Sequence, residues 1–292
     1  MKRRQAFTLG LGTAVTASLP ARAQTSSRVV SPRIVSIGSA LTEIVYALGA
    51  EDLLVGVDTT SQHPAAAQAL PQVGYMRALS AEGVLSLKPT LVIATTAAGP
   101  AATLDQLRAT GVEVLVLPDH YDYDSVIAKI SAVGRVTGKQ AQAEAMIARG
   151  RADMAELAKR LAVATGKPRV LFLLSMGGGA PQAAGRDTAA DGIIRLAGGT
   201  NAIESYAGYR PLTPEAVIAS RADFVLVTRQ TVQAMGGIEA ILNRPALRQT
   251  PAGRAGKVLQ FDTLLLLGFG PRTPQAAQEL AVALHPDLAR AP

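Results

Sequence analysis

Short apolar runs bounded by turn residues alternate with helical stretches along almost the whole chain. The runs Arg33–Ile37, Leu53–Val57, Leu91–Ala94, Glu113–Leu117, Arg169–Leu174, Phe224–Val227 and Val258–Phe261 predict strands. Several are apolar at consecutive rather than alternating positions, as expected where helices cover both faces of a sheet. Helices are predicted over Leu41–Leu48, Ala81–Leu87, Ala101–Thr110 and Ser125–Val136 in the first half. Thr188–Ala197, Pro214–Ala219 and Pro274–Leu284 follow in the second. Strand and helix alternating in this way define an α/β fold with mostly parallel strands in each half.

One helical segment between the halves is longer than the rest, running from about Lys139 to Ala164. Ala143, Ile147, Gly150, Met154, Leu157 and Leu161 recur at steps of three and four and form one apolar stripe. Gly166-Lys167-Pro168 stops it. At 1.5 Å per residue it spans about 35–40 Å, and a single stiff helix joining two lobes permits only modest hinge motion.

A pattern recurs once in each half. Gly74-Tyr75-Met76-Arg77-Ala78-Leu79-Ser80-Ala81-Glu82-Gly83-Val84 returns, one residue shorter, as Gly208-Tyr209-Arg210-Pro211-Leu212-Thr213-Pro214-Glu215-Ala216-Val217. Repetition at half-chain length predicts two similar lobes that place equivalent residues symmetrically, with a ligand cleft between them. The expected division is an export signal over 1–23, an N-terminal lobe over 30–137, a connecting helix over 138–165 and a C-terminal lobe over 166–292.

The export signal is read from Lys2, Arg3 and Arg4, the apolar stretch Ala6–Leu19 and the small-x-small site Ala21-Arg22-Ala23. That stretch is too short to span a bilayer comfortably, so the mature protein is not expected to be membrane-embedded. The signal carries four basic residues and no acid, and so accounts for more than half of the formal net charge of +7. The remaining Lys and Arg are scattered, which argues against nucleic-acid binding. With no cysteine in the chain, disulfides and a lipid-modified N-terminal cysteine are both excluded. The expected product is free in a bacterial periplasm.

Glu82 and Glu215 each follow a helix N-cap, Ser80 or Thr213. A glutamate there interacts favourably with the helix dipole, and that alone accounts for either residue. Their symmetry supports a second reading, docking onto a two-fold symmetric partner that carries basic residues. Tyr75 has Arg77 two positions on; a guanidinium beside a phenol favours the phenolate, a hard donor suited to Fe(III) and a known axial haem ligand. Tyr209-Arg210-Pro211 is either a counterpart closing over the same ligand or a rigid turn set by Pro211. Arg229, just past an apolar strand, stands where α/β sheets expose their sites. Met176-Gly177-Gly178-Gly179-Ala180 lacks the Lys-Ser/Thr of a phosphate-cradling loop. His63, His120 and His285 are too separated for a structural metal, and no Gly-x-Ser-x-Gly elbow is present. Catalysis finds little support.

With these residues in view, the chain resembles the periplasmic haem-binding proteins of bacterial ABC haem importers, within the helical-backbone group that also binds vitamin B12 and ferric siderophores. The resemblance runs through Arg33-Ile34-Val35-Ser36-Ile37-Gly38, Leu41-Thr42-Glu43-Ile44 and Leu87-Lys88-Pro89-Thr90-Leu91-Val92-Ile93. In the second half it runs through Ala189-Ala190-Asp191 and Leu196-Ala197-Gly198-Gly199-Thr200-Asn201. Val73-Gly74-Tyr75-Met76-Arg77 narrows it to haem. It implies a monomeric carrier, not an enzyme, that takes up haem b as Fe(III) and delivers it to a permease dimer with its ATPase. Tyr75 is then the axial ligand and Arg77 its hydrogen-bonding partner, with Tyr209 and Arg229 also at the haem. Glu82 and Glu215 meet arginines of the permease. Some relatives add a second-lobe histidine and hold a second haem. No histidine lies between His120 and His285, so one haem with tyrosine as sole protein ligand is expected. A cobalamin or ferric-siderophore carrier of the same fold is the alternative, and a periplasmic hydrolase stands behind both.

Overall fold

Both halves are sheets covered on two faces. The computed structural model describes residues 31–175 and 180–289; the expected export signal over 1–23 and Met176-Gly177-Gly178-Gly179 lie outside them. The first sheet contains β1 (Ile34–Ile37), β2 (Leu54–Val57), β3 (Leu91–Thr95) and β4 (Glu113–Leu117), in the order β2-β1-β3-β4 and parallel throughout. The strand order therefore reverses between β1 and β3, a topological switch point where parallel sheets open a crevice at their carboxyl edge.

The second sheet contains β5 (Arg169–Leu174), β6 (Gln182–Ala184), β7 (Thr200–Asn201), β8 (Tyr209–Pro211), β9 (Phe224–Thr228) and β10 (Val258–Phe261). Its order is β10-β9-β5-β6-β8, with β7 also paired to β5. β5, β7, β9 and β10 run parallel, whereas β6 and β8 are antiparallel additions. The apolar runs locate the seven long strands to within a residue or two. β6, β7 and β8 carry two or three residues each and too little periodicity to read. Tyr209-Arg210-Pro211 is accordingly an edge strand, not a turn, and the edge is where a proline without an N–H is tolerated.

Consecutive apolar positions serve opposite faces. Val35, Ile37, Val92 and Ala94 pack under helix Ala101–Ala109. In the second sheet Leu171, Leu173, Val225 and Val227 pack with Ile241 and Leu247. The other faces share one core: Ile34 and Ile93 of the first sheet belong to the same buried cluster as Val170, Phe172 and Leu226 of the second. The long helix, Gln140–Ala162, lies within that cluster, burying Ala143, Gly150 and Leu157. Gly138, left-handed at φ 70°, ends the preceding helix Tyr123–Thr137 and turns the chain into the long one.

Candidate functional site

A cavity of about 230 Å³ opens between the lobes. From the first lobe it takes Gly38, Thr95, Ala97, Asp119 and Tyr121, which follow or end β1, β3 and β4, together with Met76 and Arg77. The second lobe contributes Ala189, Tyr209 and Leu267-Gly268-Phe269. The cavity thus stands at the switch point of the first sheet.

Tyr75 and Arg77 share one tight turn. The Ala78 N–H donates to the Tyr75 carbonyl at 2.8 Å, and Gly74 enters the turn at φ 96°. Further backbone bonds, Gly99 N–H to Met76 O (2.8 Å) and Thr59 N–H to Gly74 O (3.0 Å), pin the turn on both sides. This folds the Arg77 side chain back so that Nη1 donates to the Tyr75 phenol oxygen at 2.5 Å. The guanidinium carbon is 5.8 Å from the ring centroid, so the contact is a charge-assisted hydrogen bond at the ring's edge and not a stacked cation. Tyr75 is 44% exposed and is not itself in the cavity lining, which its neighbours Met76 and Arg77 join. A phenol oxygen hydrogen-bonded to a guanidinium is chemically the kind of donor that suits a hard Lewis-acidic metal.

Tyr209 reaches the same cavity from the other lobe. Its ring packs edge-on against Phe172, with centroids 6.4 Å apart. Burial pushes its phenol up to about 12; the neighbouring Tyr121 adds to this, while the Ala190 backbone, Thr188 and Arg77 oppose it. Tyr209 is therefore a neutral phenol at ordinary pH. Arg210, next along the strand, points to the opposite face, its guanidinium carbon 4.9 Å from the Tyr206 ring centroid. Arg229 is exposed where helix Arg229–Ala234 begins, and is not in the cavity lining. Its neighbour Gln230 bonds Thr263, which opens the helix leading to the lining residues Leu267-Gly268-Phe269.

Glu82 and Glu215 occupy matching second positions of helices Ala81–Leu85 and Pro214–Ser220. Ser80 Oγ accepts from the Gly83 N–H at 3.4 Å and Thr213 Oγ1 from the Ala216 N–H at 3.3 Å. Both carboxylates are exposed, outside the cavity lining, and neither forms a salt bridge among the described residues.

Several lining residues escape a reading of the sequence. Asp119 is bonded by Lys129, which is 1% exposed, at 3.4 Å; burial lowers the Lys129 ammonium and the Asp119 carboxylate partly offsets this. Tyr121 and Phe269 meet across the lobes edge to face, with centroids 5.4 Å apart. Phe269 is held at φ 47°, unusual for a bulky residue. Asp119 and Tyr121 come just after β4, so the rule that selected Arg229 selects them too. Phe269 leaves no comparable mark. Among the described residues no group of three or more His, Asp or Glu is placed to hold a metal ion. Asp191 and Asn201 are structural: Asn201 Nδ2 donates to Asp191 Oδ1 (3.2 Å) and to the Ala184 carbonyl (3.1 Å), while Asp191 takes Arg195.

The two-lobed fold with its cleft is that of a ligand carrier. A family model for the periplasmic binding proteins matches residues 34–263, and the chain belongs to that family. Among solved structures, the periplasmic haem-binding protein BhuT, in complex with two haems, is 42% identical with a TM-score of 0.84, over 89% of this chain and all of that one. The periplasmic haem-binding protein RhuT from Roseiflexus sp. RS-1, in apo form, is 41% identical with a TM-score of 0.83, over the same shares. Among curated relatives, the ABC transporter substrate-binding lipoprotein YvrC of Bacillus subtilis is 27% identical over 87% of this chain and 80% of its own length. A cobalamin-binding protein of Halobacterium salinarum is 27% identical over 87% and 69%. These are binding proteins, not enzymes.

Proposed function

We propose that the protein captures haem in the periplasm and delivers it to an inner-membrane ABC importer. Residues 30–137 and 166–292 act as the two jaws and 138–165 as the connector. The observation that carries the reading is the hydrogen bond to Tyr75 from Arg77, which lines the inter-lobe cavity. It suits Fe(III): the phenol oxygen supplies a hard anionic ligand, and the guanidinium stabilises its charge. The haem-binding proteins at 41–42% identity support the same ligand. The cavity is smaller than the ~300–1,000 Å³ of typical ligand sites, so a porphyrin seated in it extends past the rim. A single haem is favoured, because no histidine lies between His120 and His285 to hold a second one from the other lobe. Arg229 acts at the rim, and Glu82 and Glu215 meet basic residues of the permease dimer.

The Halobacterium relative motivates cobalamin as the competing ligand. Titration of the mature, monomeric protein with haem, cobalamin and a ferric siderophore decides between them. A Soret band saturating near one haem is expected, and tight binding of cobalamin with no haem-induced band would replace this reading by its competitor.

A further inference from the structure

The second lobe holds another cavity, of about 240 Å³, that shares no lining residue with the cleft. Leu173 lines it, whereas the preceding residue, Phe172, packs against the cleft residue Tyr209. Successive side chains of a strand take opposite faces of the sheet, so β5 stands between the two cavities. Val217, Met235 and Leu247 join Leu173 in the floor, and all four belong to the buried cluster on that face. Leu212 completes the apolar interior.

The walls hold this space open. Pro181, Pro214 and Pro245 present rigid rings and Ala246 a single methyl, so these four residues cannot reach in to fill it. An apolar cavity that its own side chains leave unfilled takes up an apolar guest. Arg244 is the one charged residue in the lining. It is exposed and forms no salt bridge among the described residues. A guanidinium offers a carboxylate two parallel N–H donors. An apolar interior with a free cation at its wall therefore matches a chain with an anionic end. The volume is just below the ~300 Å³ at which pockets for drug-sized ligands begin, which suits a chain of medium length.

We propose that this cavity is a second ligand site, for a medium-chain carboxylate whose tail fills the apolar interior and whose head meets Arg244. The site lies across the sheet from the cleft and does not depend on the haem reading.

Calorimetric titrations with octanoate, octanol and acetate test this on the mature parent, Arg244→Gln and Ala246→Leu. Octanoate should bind the parent, and acetate, which has no tail, should not. Octanol should bind about fivefold more weakly than octanoate, the upper end of what an exposed ion pair contributes. Arg244→Gln should lower octanoate affinity by the same factor and leave octanol unchanged. Ala246→Leu pushes a side chain into the space of the tail and should weaken both. Arg244 is exposed, so its replacement should fold as the parent does and carries the test even if Ala246→Leu unfolds. No octanoate binding, acetate binding as tight as octanoate, or octanoate affinity unchanged in Arg244→Gln overturns the site. None of these outcomes touches haem capture.

Discussion

Arg272 grips Glu43 with both arms of its guanidinium, Nε to Oε1 at 2.6 Å and Nη2 to Oε2 at 3.0 Å, across the two lobes. Glu43 lies on helix Ser39–Ala47, and Arg272 precedes helix Thr273–Leu284. The bond to Glu43 raises the Arg272 guanidinium above its ordinary value, against the effect of burial. The pair fastens the second lobe to the helix that floors the cleft. Close by, Gly270 packs on Ala40, where an added Cβ would come within 3.4 Å of Cα.

Removing one member strands the other. Glu43→Ala is expected to cost about 3 kcal/mol, and the double change Glu43→Leu with Arg272→Met markedly less. Urea unfolding measures both. A single-variant cost near that of a surface pair, below about 1 kcal/mol, would show that the bridge does not hold the lobes.

Tyr75→Phe should keep the fold and lose the iron–oxygen bond. Loss of the ferric tyrosinate charge-transfer band and weaker haem binding are the expected results in an absorbance titration. An unaltered spectrum and affinity would mean that another residue ligates the iron.

Arg77→Ala should weaken haem binding less than Tyr75→Phe, since the oxygen remains. Without the guanidinium, iron competes with a proton for that oxygen on poorer terms, so haem release on acidification should begin at a higher pH than in the parent. Superimposable release profiles would reduce Arg77 to a packing residue.

Tyr209 predicts an alkaline signature. Its phenol is raised from 10.0 to about 12 in the folded protein. Below about pH 10 both states keep the proton and stability is unaffected. Between about pH 10 and 12 the unfolded chain has released the proton and the folded one has not, so stability falls as pH rises, by about 2–3 kcal/mol in all. Denaturant unfolding across that window should show a shallower decline in Tyr209→Phe; parallel declines would contradict the burial of this phenol.

Glu82→Ala with Glu215→Ala should leave haem capture intact, because neither carboxylate lines the cleft, and should cost at most about 1–2 kcal/mol of stability. Stimulation of the cognate transporter's ATPase should fall sharply. Normal stimulation at low salt, where charge contacts count most, leaves the two glutamates as helix-end stabilisers.

Much of this was legible in the residues. Consecutive apolar positions marked strands such as Leu91–Thr95 because both faces are buried, and the stripe from Ala143 to Leu161 marked the long helix because one face is. Tyr75 and Arg77 were readable because two residues of one tight turn meet locally. Glu43 and Arg272 were not, since they are 229 positions apart and nothing local joins them. The cavity beside Arg244 was hidden for another reason: a void exists only relative to neighbours that the fold brings in. The short strands around Tyr209 depend on pairing with β5 and β6 and not on their own periodicity.

The shared core has a consequence for unloading. Ile34 and Val170 belong to one buried cluster threaded by the long helix, so the lobes cannot part far without exposing apolar side chains from both sheets. Such a carrier is expected to keep nearly the same outline full or empty. On the proposed haem reading, a receptor that must tell the two apart has little to gain from measuring jaw angle; it would have to sense the cargo itself, and extract it by offering the metal a better ligand than Tyr75 instead of prying the protein open.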